Sequence, residues 1–237
     1  MIEYQNLIYL DLQKTGSTHI RHLLNYFCTP IRYKQHSRIT KHQHRSGKKI
    51  FSTIRDPFEW WVSCWAFGFV RKGRFYRGLG GDPSIYSYPA DPEGFRKFVR
   101  VMNDYRSEEI SVLGEGYTAL YAMRFGFYTW RLINLTCARH GEVLPLIPDP
   151  QEYFGTFHLT NIFLMQEALN EEFIGHAPEL GLSLAEEDIS WIKSQRRTNS
   201  SKHPLMLQEY YDEETQEIVR QREAAIFNIF GYGEELC

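Results

Sequence analysis

The sequence predicts an α/β protein, a three-layer α/β/α sandwich built on a central parallel sheet. Short apolar runs of strand length alternate with stretches of helical periodicity, the order in which parallel strands and their crossover helices follow one another. The first run, Leu7 to Leu12, has the nearly unbroken apolar character of a strand buried on both faces. At 237 residues, 43% hydrophobic and 24% charged, the chain has the make-up of one globular domain that can bury a core without staples.

The opening strand leads through a turn of glycine, serine and threonine into a helix. There Ile20, Leu23, Leu24 and Phe27 recur at i, i+3, i+4 and i+7 and form one apolar face. The basic stretch from Arg32 to Lys49 has little periodicity, and Ile50 to Ile54 reads as a second strand. Asp56 then suits an N-cap, Pro57 the first helical position and Glu59 a capping-box partner. Phe58, Trp61, Val62, Trp65 and Phe69 form the apolar face of the helix that follows.

Residues 71–94 are dense in glycine and proline and read as a long loop of the lid or ligand-binding kind. Helices are expected over 95–105 and 117–140, a strand over 156–165 and a helix over 167–174. A capping box at Ser183 to Glu186 opens a short helix, and 195–204 read as a polar, basic loop. Residues 212–230 form a closing amphipathic helix with Ile218, Ile226 and Ile229 inward, stopped by Gly231.

Net charge is −2, but it is unevenly spread. Between Asp11 and Asp56 there is no acidic residue, while ten lysines and arginines fall there, from Lys14 to Arg55. Such a segment sets up a positive field suited to a polyanion, or else forms a solvated basic loop. The four cysteines lack C-x-x-C spacing, which points to free thiols and away from a zinc site or a disulfide scaffold. No apolar run approaches the roughly 18 residues of a membrane span, and no basic leader precedes the first strand. A cytoplasmic protein, or one trimmed of its anchor, is the expectation.

The turn Gln13-Lys14-Thr15-Gly16-Ser17-Thr18, between a strand and a helix, has the make-up of an anion site. The first N–H groups of the helix lack intrahelical partners, and the dipole end is positive. Gly16 lets the backbone come close to a ligand, Ser17 and Thr18 add hydroxyls, and Lys14 adds a charge. The G-x-x-x-x-G-K-[ST] pattern of ATP-binding loops is missing, since this lysine precedes its glycine. A second element, Arg55-Asp56-Pro57 with Ser63 eight residues after Arg55, sets an arginine at a strand end and a serine two helical turns on. Both can converge on one anion at the carboxyl edge of an α/β sheet. Taken singly, either element also fits an ordinary ion pair or a solvated side chain.

Together these segments resemble the PAPS-dependent sulfotransferases, in particular the carbohydrate sulfotransferases and their bacterial relatives. PAPS is 3′-phosphoadenosine 5′-phosphosulfate. In that family a P-K-T/x-G-S/T-T loop grips the 5′-phosphosulfate, and Lys14, Thr15, Gly16, Ser17 and Thr18 match it. An R-D-P-x-x-x-x-x-S element grips the 3′-phosphate, and Arg55 and Ser63 match that. Gln13 departs from the family's proline. A weaker match runs from Arg196-Arg197 through Lys202 to Gly233, where relatives carry a basic loop over the nucleotide. The resemblance covers 5–27, 48–66 and 156–233 and is absent from 70–150.

The resemblance implies a P-loop NTPase-like sulfotransferase fold, a single domain over 1–237 in which 71–150 is an acceptor-side loop and helical excursion. It implies PAPS as donor, adenosine 3′,5′-bisphosphate as product and no required metal. Lys14 would stabilise the leaving oxygens, and Lys14 to Thr18, Arg55, Ser63, Arg196, Arg197 and Lys202 would hold the nucleotide. Relatives place a histidine or glutamate base near the acceptor; His42 and His44 are the candidates here, with His36 a third. The acceptor would be a hydroxyl, of a glycan or glycolipid first of all. Trp60, Trp65, Phe67, Phe69, Phe75, Tyr76, Tyr86 and Tyr88 can stack on sugar rings or simply form core. Rival readings are a P-loop-type kinase of a small metabolite, which should carry GK[ST], and a non-catalytic binder of nucleotide or nucleic acid through 32–49.

Overall fold

The computed structural model describes the chain except residues 87–90, 105, 107–115, 139–143, 148, 197–204, 234–235, 237 and the side chain of Lys41. The chain divides into two compact units, Met1–Arg55 with Leu132–Pro145 and Tyr153–Ser200, and Asp56–Arg131 with Leu146–Glu152 and Ser201–Cys237.

The first unit holds the sheet. Strands β1 (Ile2–Glu3), β2 (Leu7–Leu10), β3 (Arg32–Tyr33), β4 (Lys49–Ile54) and β5 (Ile162–Met165) lie in the order β3-β1-β2-β4-β5. β2, β4 and β5 run parallel, with Tyr9 opposite Phe51 and Phe51 opposite Ile162. β1 is antiparallel to both β2 and β3, so the sheet is mixed and not the parallel one predicted. The reason lies in chain length: only three residues join β1 to β2, closed by Tyr4 N–H to Leu7 C=O at 2.9 Å. A parallel neighbour needs a crossover of a dozen residues or more.

Helix α1 (Ser17–Phe27) buries Ile20, Leu23 and Leu24, the predicted face. They join Tyr9, Phe51 and Leu164 of the sheet and Leu169 and Phe173 of α9 (Leu169–His176) in one apolar cluster. The alternate residues Ile8, Leu10 and Ile54 are buried as well, which explains why these strands read as continuous apolar runs. Ile192 brings α10 (Glu186–Ser194) into the same cluster, where Trp191 stacks on Tyr26 of α1 with ring centroids 3.9 Å apart. Helix α10 starts at Glu186, and Asp188 caps it by accepting from the Ala185 N–H at 2.9 Å, so Ser183 is not its cap. The four-residue helix α2 (Lys41–His44) lies in the basic stretch read as unstructured. The predicted strand over 156–165 is instead the end of helix α8 (Pro150–Phe157) followed by β5.

The second unit is helical. Helix α3 (Pro57–Phe69) starts as predicted, with the Asp56 carboxylate accepting from Glu59 N–H at 3.0 Å and Pro57 at the first turn. It is buried on more than one face: Phe58, Trp60, Trp61, Val62, Ser63, Cys64 and Trp65 are all inside. A short helix α4 (Gly73–Gly78) interrupts the region read as loop, and α5 (Pro92–Asn103) follows. The helix predicted over 117–140 is two, α6 (Ala119–Ala122) and α7 (Phe127–Thr136), the second crossing from one unit to the other in sequence at Arg131. The helix predicted over 212–230 is also two, α12 (Glu213–Arg222) and α13 (Ala224–Phe230), preceded by α11 (Leu207–Tyr210). Both breaks have one cause. Glu223 turns its carboxylate to the amino end of α7, accepting from Tyr128 N–H at 3.1 Å and from Thr129 N–H and hydroxyl at 2.8 Å each. A Cβ at Gly126 would overlap that carboxylate.

Among the described residues no helix is long and apolar enough to cross a membrane. Cys28, Cys64 and Cys137 are free thiols.

Candidate functional site

The turn after β2 forms the amino end of α1. Gly16 is the N-cap residue in the left-handed region at φ 88°, and no side chain caps the helix. Glycine is required twice over, by that φ and because a Cβ there would run into the Leu169 side chain. Intrahelical bonding begins with His19 N–H to Gly16 C=O at 2.9 Å, so the N–H groups of Ser17 and Thr18 precede the ladder. No acidic residue lies in the first turn. Lys14 is also left-handed, at φ 65°, a conformation uncommon for a residue with a side chain and one that clusters at functional sites.

Arg55, at the end of β4, reaches this turn: its Nη1 donates to the Lys14 carbonyl oxygen at 3.4 Å. The parallel pairing of β2 and β4 brings the two together, since Leu10 stands opposite Ser52 and both chains leave the same sheet edge. A cation with five N–H donors is thereby held beside the turn. Ser63 is buried on α3 in the second unit. Thr15 is buried too, and its hydroxyl donates to Leu12 C=O at 2.7 Å, so Thr15 offers a ligand its backbone and not its side chain. Ser17 and Thr18 are half-buried.

The three histidines differ sharply. His42 and His44 are exposed on α2. His36 is half-buried and tied to Asp11, the buried residue that ends β2's run: its backbone N–H donates to the carboxylate at 3.0 Å, and its Nδ1 lies 2.6 Å from the Asp11 carbonyl oxygen. A carbonyl only accepts, so Nδ1 carries the hydrogen and Nε2 is the basic nitrogen of the neutral ring. His36 is left-handed as well, at φ 51°. The Asp11 carboxylate, which the sequence reading passed over, is also paired with the buried Met1 amino group, so its part in the site is to hold His36 in place.

The basic stretch is less of an open field than its composition implied. Lys48 pairs with Glu3 at 2.8 Å. Arg38 is half-buried on the Cys137 carbonyl at 3.1 Å, and burial draws its pKa down. Arg196 is exposed at the end of α10, while Arg197 and Lys202 lie outside the described residues.

Among the aromatic candidates Trp60, Trp65 and Phe75 are core, at 0%, 1% and 8% exposure. Trp60 is stacked on Tyr128, and the Trp65 indole donates to Ile85 C=O, so neither is a platform for sugars. Tyr86 and Tyr76 are half-buried, Phe67 is 39% exposed, and Tyr88 lies outside the described residues. No group of three metal-ligating side chains occurs among the described residues.

Comparison of the chain with protein-family models, with curated proteins and with solved structures gave no match.

Proposed function

We propose that this chain is a sulfotransferase that moves a sulfuryl group from PAPS to a hydroxyl of an acceptor, a carbohydrate or glycoconjugate first of all. On this reading its α/β fold is the three-layer, P-loop NTPase-like arrangement. The observation that carries the reading is the hydrogen bond from Arg55 to the Lys14 carbonyl. It brings the Arg55 guanidinium, at the end of β4, to the backbone of the turn that follows the neighbouring parallel strand β2. We read the N–H groups of the turn, the Lys14 ammonium and the Arg55 guanidinium as donors for two phosphate-like groups on one ligand.

PAPS supplies the sulfuryl group and departs as adenosine 3′,5′-bisphosphate. Lys14 and the amino end of α1 hold the negative charge that grows on the leaving oxygens. Arg55 holds the 3′-phosphate. Of the three histidines, His36 is the one with a fixed tautomer, and we assign it as the base that takes the acceptor's proton at Nε2. The assignment moves from His42 and His44 because their four-residue helix is exposed and anchors neither ring.

The test is calorimetry with adenosine 3′,5′-bisphosphate, without divalent metal, on the wild type and on Arg55→Ala. Binding by the wild type, weakened about 10- to 100-fold in the variant, is the expected result. No binding by the wild type sinks the reading, and magnesium-dependent binding of ATP in its place would favour a kinase.

A further inference from the structure

Three buried hydroxyls link the anion turn to the sheet. Thr15 Oγ1 lies 2.6 Å from Thr53 Oγ1, and Thr53 Oγ1 lies 2.9 Å from the Tyr9 hydroxyl. Either partner could donate in each of these contacts, but counting hydrogens fixes the order. A hydroxyl has one hydrogen. Thr15 spends its own on the Leu12 carbonyl. Thr53 must therefore donate to Thr15, and Tyr9 to Thr53. The result is one directed chain, Tyr9 to Thr53 to Thr15 to the Leu12 carbonyl, and all four residues are fully buried.

The chain ends between two left-handed residues. Thr15 stands between Lys14 at φ 65° and Gly16 at φ 88°. Its side chain is the anchor that connects this turn to both β2, through Tyr9, and β4, through Thr53. Left-handed backbone at a lysine persists only where the surroundings over-determine it. The buried hydroxyl chain is one such constraint, beside the Arg55 bond to the Lys14 carbonyl. Polar residues in a buried strand, such as Thr53 near the end of β4, need partners in any case; what is particular here is that the partner is the turn itself.

We infer that Thr53 and Tyr9 are positioning residues of the anion site, holding the Lys14–Ser17 backbone in its binding shape through Thr15. The inference rests on the reading of this turn as the holder of the nucleotide's 5′-phosphate group. Neither residue need touch the ligand.

The test compares Thr53→Val, which keeps the shape of the side chain and removes its hydroxyl, with Thr53→Ser, which keeps the hydroxyl. Two nucleotides are titrated: adenosine 3′,5′-bisphosphate, and adenosine 3′-monophosphate, which lacks the phosphate gripped by the turn. Thr53→Val is expected to weaken the bisphosphate about tenfold and leave the 3′-monophosphate unchanged, with Thr53→Ser restoring wild-type affinity. Equal weakening of both nucleotides would mean general damage and would overturn the positioning role, as would unchanged binding of both. If Thr53→Val does not fold, Tyr9→Phe removes only the far link of the chain and is expected to weaken the bisphosphate about threefold, again without effect on the 3′-monophosphate. A wild type that binds neither nucleotide ends the sulfotransferase reading, and the positioning role is then judged by amide exchange. Exchange at residues 15–18 should be faster in Thr53→Val than in Thr53→Ser, and equal rates would overturn it.

Discussion

Glu223 and Thr129 meet twice, the carboxylate accepting from both the backbone N–H and the hydroxyl at 2.8 Å. With Tyr128 N–H as third donor, the side chain of one helix break caps the amino end of a helix nearly a hundred residues earlier in sequence. Burial pushes the Glu223 carboxyl above the usual range, against the pull of the Thr129 and Tyr128 hydrogen bonds.

Glu223→Ala leaves three buried donors without their acceptor and should destabilise the protein by about 3 kcal/mol in urea unfolding. Glu223→Gln keeps one acceptor oxygen and should cost about 1 kcal/mol near neutral pH. The sign of the pH effect follows from the raised pKa. The fold favours the protonated acid, so this group's contribution is full below the unfolded pKa and falls as pH rises through the folded one. The gap between wild type and Glu223→Gln should therefore narrow from pH 5 to pH 8, and a gap that widens would contradict the direction of the shift.

Glu3 behaves in the opposite sense. Hydrogen bonds from the Lys48 ammonium at 2.8 Å and the Gln43 amide at 2.5 Å hold its carboxyl below the usual range. A depressed pKa adds stability above the unfolded pKa, and that stability is lost as pH falls through the folded value. Lys48→Met should cost less than about 1 kcal/mol at pH 7, since the pair is partly solvated. Part of the stability loss on acidification from about pH 5 to pH 3 should vanish with it, as read from thermal midpoints across that range.

In the proposed reaction Lys14 and His36 do separable work. Lys14→Ala should lower kcat by about 10²–10³-fold, the size of one lost transition-state donor. His36→Ala should lower kcat by about 10²–10⁴-fold and leave the affinity for adenosine 3′,5′-bisphosphate as it was. His42→Ala and His44→Ala should keep wild-type turnover. Single-turnover assays with PAPS and a panel of hydroxylated acceptors would check all four, and loss of activity in His44→Ala alone would return the base to α2.

The sequence made the local features legible and left the long-range ones dark. The α1 face at Ile20, Leu23 and Leu24 was readable because helical periodicity is local, and so was the Asp56-Pro57 helix start. The antiparallel edge was missed because two-residue strands such as Ile2–Glu3 carry almost no pattern. The helices predicted over 117–140 and 212–230 were drawn too long because each break depends on the other: Gly126 and Glu223 make sense only once paired. At the site, residue types gave Lys14, Gly16 and Arg55. Asp11, Thr53 and Tyr9 stayed hidden, because a hydroxyl in a strand shows its partner only when the strands are aligned in register.

The stacking of Trp191 on Tyr26 has a practical side. The other four tryptophans, Trp60, Trp61, Trp65 and Trp130, are all in the second unit and no more than 1% exposed. Trp191 is the lone indole of the first unit and rests on the very helix whose amino end carries the anion turn. Its emission, quenched or shifted by any change in its contact with Tyr26, reports without an added label on the carboxyl half of α1 and its seat against α10. Replacing the four buried indoles is unnecessary if Trp191→Phe is used as the blank, because the difference spectrum isolates the signal of that one ring.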